Sequence, residues 1–304
     1  MISALLYLFA SMLVFCLAFL LIAAVVFYRA PGQYFDADGV RLFYRVEGSG
    51  TPVVLIHGYG VNADLNWRLP GVVRALRKRY QVIVFDVRGH GRSDKPHDPA
   101  QYGSETARDA CRLLDHLGIE KAHVVGYSMG GFITIKLIAM FPDRLLSAVP
   151  CGAGWEKPEG EKLHLLAALT DSIDRQKSYA PLIRALEPTP PPAWKVHLAS
   201  FFLRILNDNT AMSAVMKNFT DLAVTEEELR NNQAPVLSIV GTRDPLGSGV
   251  QPMTEIMAHH EAAYIEGGDH MTTMIKGAYL QHLTAFLARH SPETRTPPSA
   301  GDMR

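Results

Sequence analysis

Gly126-Tyr127-Ser128-Met129-Gly130-Gly131 follows the apolar run His123-Val124-Val125 and opens a helical pattern over residues 131–141. A serine between a strand and a helix, with a glycine two positions away on each side, is the setting a nucleophile elbow requires. The turn is sharp and strained, so that the hydroxyl projects from the end of the strand. A Cβ at Gly126 or Gly130 would collide where strand and helix close together. The helix N-terminus adds free N–H groups and a positive dipole beside any negative charge that develops there. An isolated G-x-S-x-G also occurs as a plain glycine-rich turn, and it is the strand–turn–helix context that favours the catalytic interpretation.

Working outward, Val53-Val54-Leu55-Ile56, Val82-Ile83-Val84-Phe85 and Pro235-Val236-Leu237-Ser238-Ile239-Val240 are further β-branched runs. Such runs suit strands buried on both faces. Helical patterns follow them, one over residues 107–117. This alternation predicts an α/β fold with an open, mostly parallel, doubly wound sheet. Residues 152–234 interrupt it with helical patterns and no convincing strand. Leu198, Phe201, Phe202 and Ile205 recur at i, i+3, i+4 and i+7, as do Met212, Val215, Met216 and Phe219. The segment is expected to be a helical cap over the carboxyl edge of the sheet. Its stripes are expected to pack on the core, to line an apolar substrate pocket or, for Leu198, Phe201, Phe202 and Ile205, to dip into a lipid interface. Residues 30–151 and 235–290 then form the core.

These features resemble the α/β-hydrolase family, from about residue 35 to residue 290. His57-Gly58-Tyr59-Gly60, after the strand at residues 53–56, is similar to the family's H-G-x-G oxyanion segment. The resemblance implies that the backbone N–H groups of Tyr59 and Met129 face a substrate oxyanion. Asp86-Val87-Arg88-Gly89-His90-Gly91-Arg92-Ser93 is similar to a family loop that is structural, so Arg88 and His90 receive no catalytic role. Trp67 is expected to pack the oxyanion loop. Asp244, at the end of the strand at residues 236–240, is the acid by resemblance. A carboxylate there can accept an imidazole N–H and fix its tautomer. His270 combines a late position, a glycine turn and a strand-end setting, and fits the general base. Asp269 is expected to be a turn or cap residue. The implied reaction is acyl transfer to Ser128 and hydrolysis of the acyl-enzyme, with no metal or organic cofactor. A serine at the elbow argues against the aspartate-dependent epoxide hydrolases and dehalogenases of the superfamily. Ester hydrolysis leads, with apolar or lipid-like acyl groups favoured. Carbon–carbon bond hydrolysis of the meta-cleavage type and non-catalytic ligand binding are the alternatives.

The chain has 304 residues, 48% hydrophobic and 20% charged, with 30 basic and 30 acidic side chains. That composition excludes a largely disordered chain, and the charge balance gives no pull toward nucleic acid. Three cysteines are too few for a disulfide framework, and no Cys/His cluster has zinc spacing. Residues 2–28 carry no charge. As a helix they would extend ~40 Å, longer than the ~30 Å hydrocarbon core. They are read as an uncleaved single-pass anchor ending at residue 29, with membrane lipid as its partner. A cleavable signal peptide competes, but the apolar run is long and no basic residue precedes it. Arg29, Arg41 and Arg45 follow the span, which favours a cytoplasmic catalytic portion. Residues 291–304 are expected to be a disordered tail. The oligomeric state is not legible.

Overall fold

The computed structural model describes residues 31–155 and 161–292, together with Leu13 and Cys16. The expected anchor, apart from those two positions, and the tail beyond residue 292 lie outside the described residues. No helix among the described residues is long and apolar enough to cross a membrane. The chain divides into two units, Met1–Gln33 and Tyr34–Arg304, and the second holds the fold.

Eight strands form one sheet: β1 (Gln33–Asp36), β2 (Arg41–Glu47), β3 (Thr51–Ile56), β4 (Tyr80–Phe85), β5 (Ala122–Tyr127), β6 (Leu145–Cys151), β7 (Val236–Gly241) and β8 (His260–Ile265). Their spatial order is β1-β2-β4-β3-β5-β6-β7-β8. The pairs from β4 through β3, β5, β6 and β7 to β8 are parallel, and β2 runs antiparallel to β4. The sheet is therefore mixed but mostly parallel, as expected. Alternate residues of β3 and β4 face opposite layers, because side chains in a strand repeat every two residues. Val54, Ile56, Ile83 and Phe85 join one apolar cluster, and Val53, Leu55, Val82 and Val84 the other.

Helices cover both faces. On one side, α1 (Val72–Leu76) and the C-terminal helix contribute Val73, Leu76, Leu283 and Phe286. On the other, α2 (Ser104–His116) and α3 (Met129–Met140) contribute Ala110, Leu113, Ile133 and Leu137. Between β6 and β7 lie α4 (Glu161–Gln176), α5 (Ala180–Ala185), α6 (Ala193–Leu206), α7 (Asn209–Lys217) and α8 (Glu226–Arg230). After β7 come α9 (Val250–Ile256) and, last, α10 (Gly277–His290). The expected stripe Met212, Val215 and Met216 on α7 is buried in the core, and Phe219 packs its ring on Phe132. The stripe on α6 does not pack on the core. Leu198, Phe201 and Ile205 are exposed and only Phe202 is half-buried, because the helix turns its other side inward. Ser291 also departs from the expected tail. Its hydroxyl donates to the Leu287 carbonyl and pairs with His123, which ties it to the end of α10.

The loop after β4 is held by buried charge. Arg88 makes a two-pronged ion pair with Asp109 of α2, 2.6 Å at each contact, and both side chains are buried. Burial pushes the Asp109 carboxyl up, and the hydrogen bonds and charge of Arg88 oppose that shift. Arg112 adds a third contact at 3.0 Å. Arg88→Ala leaves Asp109 buried with Arg112 alone, and should cost about 3 kcal/mol of stability. Urea unfolding should show this as a lower midpoint at unchanged slope. A midpoint equal to wild type would mean that Arg112 alone holds the carboxylate.

Candidate active site

The parallel strands end on one edge of the sheet, and three of them deliver the expected residues there. β5 runs directly into Ser128, which has φ 55 and ψ −117. A side chain in that conformation stores about 1–3 kcal/mol of strain, sustained only because the surroundings dictate it. The surroundings here are glycines at close approach. A Cβ on Gly126 would overlap the Gly130 carbonyl, and a Cβ on Gly130 would overlap the Ile56 carbonyl. The glycine pattern thus lets α3 start against the ends of β3 and β5.

Asp244 lies three residues beyond β7, and His270 five residues beyond β8. The Ser128 Oγ–H donates to His270 Nε2 at 2.9 Å. His270 Nδ1–H donates to the Asp244 carboxylate, 2.9 Å from Oδ2 and 3.1 Å from Oδ1. A carboxylate can only accept, so this contact places the ring proton on Nδ1 and leaves Nε2 free to receive one. His270 and Asp244 are buried, whereas Ser128 is partly open. Ser128, Asp244 and His270 are thus brought into one hydrogen-bonded chain.

Asp269 faces elsewhere. Its carboxylate accepts from the backbone N–H groups of Met271 and Thr272 and from the Thr272 hydroxyl. Burial opposes its ionisation, but the Thr272 and Met271 hydrogen bonds and the charge of Arg243 leave its carboxyl below the usual range. It shapes the turn that carries His270.

The segment after β3 is oriented by His57. The Val87 N–H donates to His57 Nε2 at 2.9 Å, so the ring proton sits on Nδ1 and is donated to the Gly58 carbonyl at 2.7 Å. Burial lowers the pKa of His57 and keeps the ring neutral, despite Asp86 nearby. No described peptide bond is cis. In a trans peptide the carbonyl of Gly58 and the N–H of Tyr59 point opposite ways. Fixing the carbonyl on His57 therefore aims the Tyr59 N–H away from it. The Gly58 N–H is held by Asn66 Oδ1 at 2.8 Å, and a Cβ on Gly58 would lie 3.3 Å from the Ser128 Cβ. Met129 is the first residue of α3, where an N–H has no acceptor within its own helix. The loop and the helix start thus meet beside the serine.

His90 stays outside this chain. It is fully buried, its Nδ1 hydrogen-bonds to the Arg88 carbonyl at 3.1 Å, and burial and the neighbouring His57 push its pKa down to about 3. Trp67 is buried, its ring nearly perpendicular to that of Tyr127. Three contributors were not legible in sequence. The Tyr127 hydroxyl donates to the His270 carbonyl at 2.7 Å and anchors the histidine loop. Asn66 holds the Gly58 N–H. Gly152, at φ 55, lies where a Cβ would be 3.3 Å from both Asp244 and His270. The Cys151-Gly152 step at the end of β6 was the available signal. Among the described residues no cluster of His, Cys, Asp and Glu could hold a metal.

Comparison with known proteins agrees with this fold. The family described as "alpha/beta hydrolase fold" matches residues 51–248. A 2-hydroxymuconate semialdehyde hydrolase from Pseudomonas sp. (strain CF600) is 40% identical over 125 residues, covering 40% of this chain and 43% of that protein. The chain spans less than half the length of the first curated relatives it matches. An esterase from Exiguobacterium antarcticum superposes with a TM-score of 0.71 at 20% identity, covering 85% of this chain and 100% of that one, which shows the shared fold. A meta-cleavage product hydrolase from Pseudomonas fluorescens IP01 superposes with a TM-score of 0.67 at 25% identity, covering 85% of this chain and 98% of that one.

Proposed function

The chain belongs to the alpha/beta hydrolase fold family, and from that premise we propose that it is a serine hydrolase of carboxylic esters. The observation that carries the proposal is the unbroken chain from Ser128 through His270 to Asp244. Ser128 Oγ attacks the acyl carbon as its proton passes to His270 Nε2. The carbonyl electron pair moves onto oxygen, which rests on the N–H groups of Tyr59 and Met129. Each such donor is worth about 3 kcal/mol of barrier. Collapse breaks the ester bond, and the leaving alkoxide takes the proton from His270. A water then gives its proton to His270 and attacks the acyl carbon. The second collapse returns Ser128 with its proton. Asp244 stabilises the imidazolium in both halves.

An apolar acyl group suits the surroundings of the oxyanion loop. Leu203 of α6 lies against Gly60, and Tyr59 packs on the buried apolar cluster. The uncharged residues 2–28 support a membrane location, where such esters reside.

Intact-mass analysis after a fluorophosphonate should show one adduct, mapped to the Ser128 peptide. A panel of esters should then give rates that rise from short to medium chains. A flat or falling series would remove the apolar preference, and no adduct on folded protein would remove the nucleophile. A second activity, hydrolysis of a carbon–carbon bond, is favoured by the matched stretch of the semialdehyde hydrolase. It predicts cleavage of a vinylogous diketone, and activity confined to simple esters would eliminate it.

A further inference from the structure

Helix α6 carries a mixed inner face and an apolar outer one. Val196, Ser200, Leu203 and Asn207 follow i, i+4, i+7 and i+11 and turn inward. The Ser200 hydroxyl accepts the Tyr179 N–H, and Asn207 Nδ2 donates to the Gly60 carbonyl at 3.0 Å. Trp194, Leu198, Phe201 and Ile205 follow the same spacing, displaced by two residues, and so lie about 200° round the helix. Trp194 is 67% exposed, and the other three are 48–55% exposed. A soluble helix of this length normally gives that face to polar residues.

The charges on α6 are of one sign. Residues 193–206 contain Lys195 and Arg204, both exposed, and no acidic residue. Arg204 lies over the Phe201 ring at 5.7 Å, and Lys195 is paired with Glu187 at 2.6 Å. Asp208, just past the helix, is engaged by His97. Met271 and Ile275, in the loop that carries His270, are exposed too. They follow the carboxyl end of β8, as the insertion follows that of β6, so exposed apolar side chains gather on the edge that bears the catalytic chain. A tryptophan, a phenylalanine and branched aliphatics flanked by Lys and Arg are the composition of a helix that lies in a lipid interface. Lys and Arg beside such a face are drawn to the anionic headgroups of a bilayer.

We propose that the outer face of α6 docks on an anionic phospholipid bilayer, with Trp194, Leu198, Phe201 and Ile205 entering the headgroup–acyl boundary. The inner face of the same helix touches Gly60 of the oxyanion loop, so docking holds that side of the active site against the lipid. The proposal rests on the ester-hydrolase assignment for the source of substrate, and on the helix alone for the surface.

The test needs no turnover. The tryptophans are Trp67, Trp155 and Trp194, and the first two are buried. The full chain is reconstituted with vesicles of phosphatidylcholine and phosphatidylglycerol whose acyl chains carry bromine. Fluorescence should be quenched relative to bromine-free vesicles. The quenched component should be lost in Trp194→Phe and strongly reduced in Phe201→Asp and Leu198→Asp. All three variants should keep the fluorophosphonate adduct, which shows that they fold. Wild-type emission insensitive to bromine would overturn the proposal. So would quenching that Phe201→Asp and Leu198→Asp leave intact. A blue-shifted Trp194 without quenching, together with a cross-linked dimer, would assign the face to a second copy of the chain. Loss of the fluorophosphonate adduct from wild type, with quenching intact, would remove the hydrolase assignment and leave the docking surface standing.

Discussion

Ser128→Ala is expected to lower kcat/KM on a carboxylic ester by about 10⁴–10⁶-fold. In the proposed reaction Ser128 Oγ is the atom that bonds to the acyl carbon, and no other described group donates to His270 Nε2 in its place. His270 and Asp244 keep their contact in the variant, since neither is held in place by Ser128 alone; the Tyr127 hydroxyl holds the His270 carbonyl and the Leu246 N–H holds Asp244. What remains is the catalysis that oriented N–H groups and binding provide without a nucleophile. Melting temperature should change little, because alanine at φ 55 inherits the strain that serine bears there. Ser128→Gly should lose as much activity yet gain up to about 1–3 kcal/mol in stability, since glycine occupies that region without strain. Steady-state rates beside thermal melts would check both. Residual activity within about tenfold of wild type would place the nucleophile elsewhere.

Asp244→Asn is expected to cost about 10⁴-fold in kcat while leaving the fold intact. The reason lies in the two things Asp244 accepts. The Leu246 N–H donates to its Oδ1 at 2.9 Å, and His270 Nδ1–H donates to the same group. An asparagine must keep its carbonyl toward Leu246, which turns its NH₂ toward the imidazole. The ring then accepts at Nδ1 and carries its proton on Nε2, where it can no longer receive one from Ser128. Fluorophosphonate labelling should slow by a comparable factor but still reach Ser128, unlike Ser128→Ala, which gives no adduct. Asp269→Asn should lose far less, because an amide oxygen can still accept the N–H groups of Met271 and Thr272. If Asp269→Asn lost more than Asp244→Asn, the assignment of the acid would be reversed.

The elements that could be read from sequence are those whose physics is local. β3, β4, β5 and β7 carry runs of β-branched residues, and the elbow is written in glycines whose Cβ atoms have no room. β6 was missed because Leu145–Cys151 holds a single β-branched residue, Val149, and has Pro150 near its end. β1 and β2 were missed because they hold a single β-branched residue, Val46, and their apolar runs are only two and three residues long. The positions of Ser128, Asp244 and His270 follow from strand ends, and strand ends are legible. Tyr127, Asn66 and Gly152 act through contacts with residues that only the fold brings near, Tyr127 across 143 positions. The stripe on α6 shows a different limit. Spacing reveals that Leu198, Phe201 and Ile205 share a face, but not whether that face turns inward. Contacts with Gly60 and Tyr179 decide it, and neither can be read from periodicity.

Ser128 and His270 are 142 residues apart in the chain. At about 5–20 residues per second, a ribosome takes roughly 7–30 s to pass from one to the other. Throughout that interval the nascent chain carries the serine without its base, and Asp244 joins only 26 positions before His270. Asp244 must wait for the helical insertion and for β7 to pair on β6, and His270 for β8 to pair on β7. The hydrogen-bonded chain from Ser128 through His270 to Asp244 can therefore close only after β8 and the turn that follows it have been made.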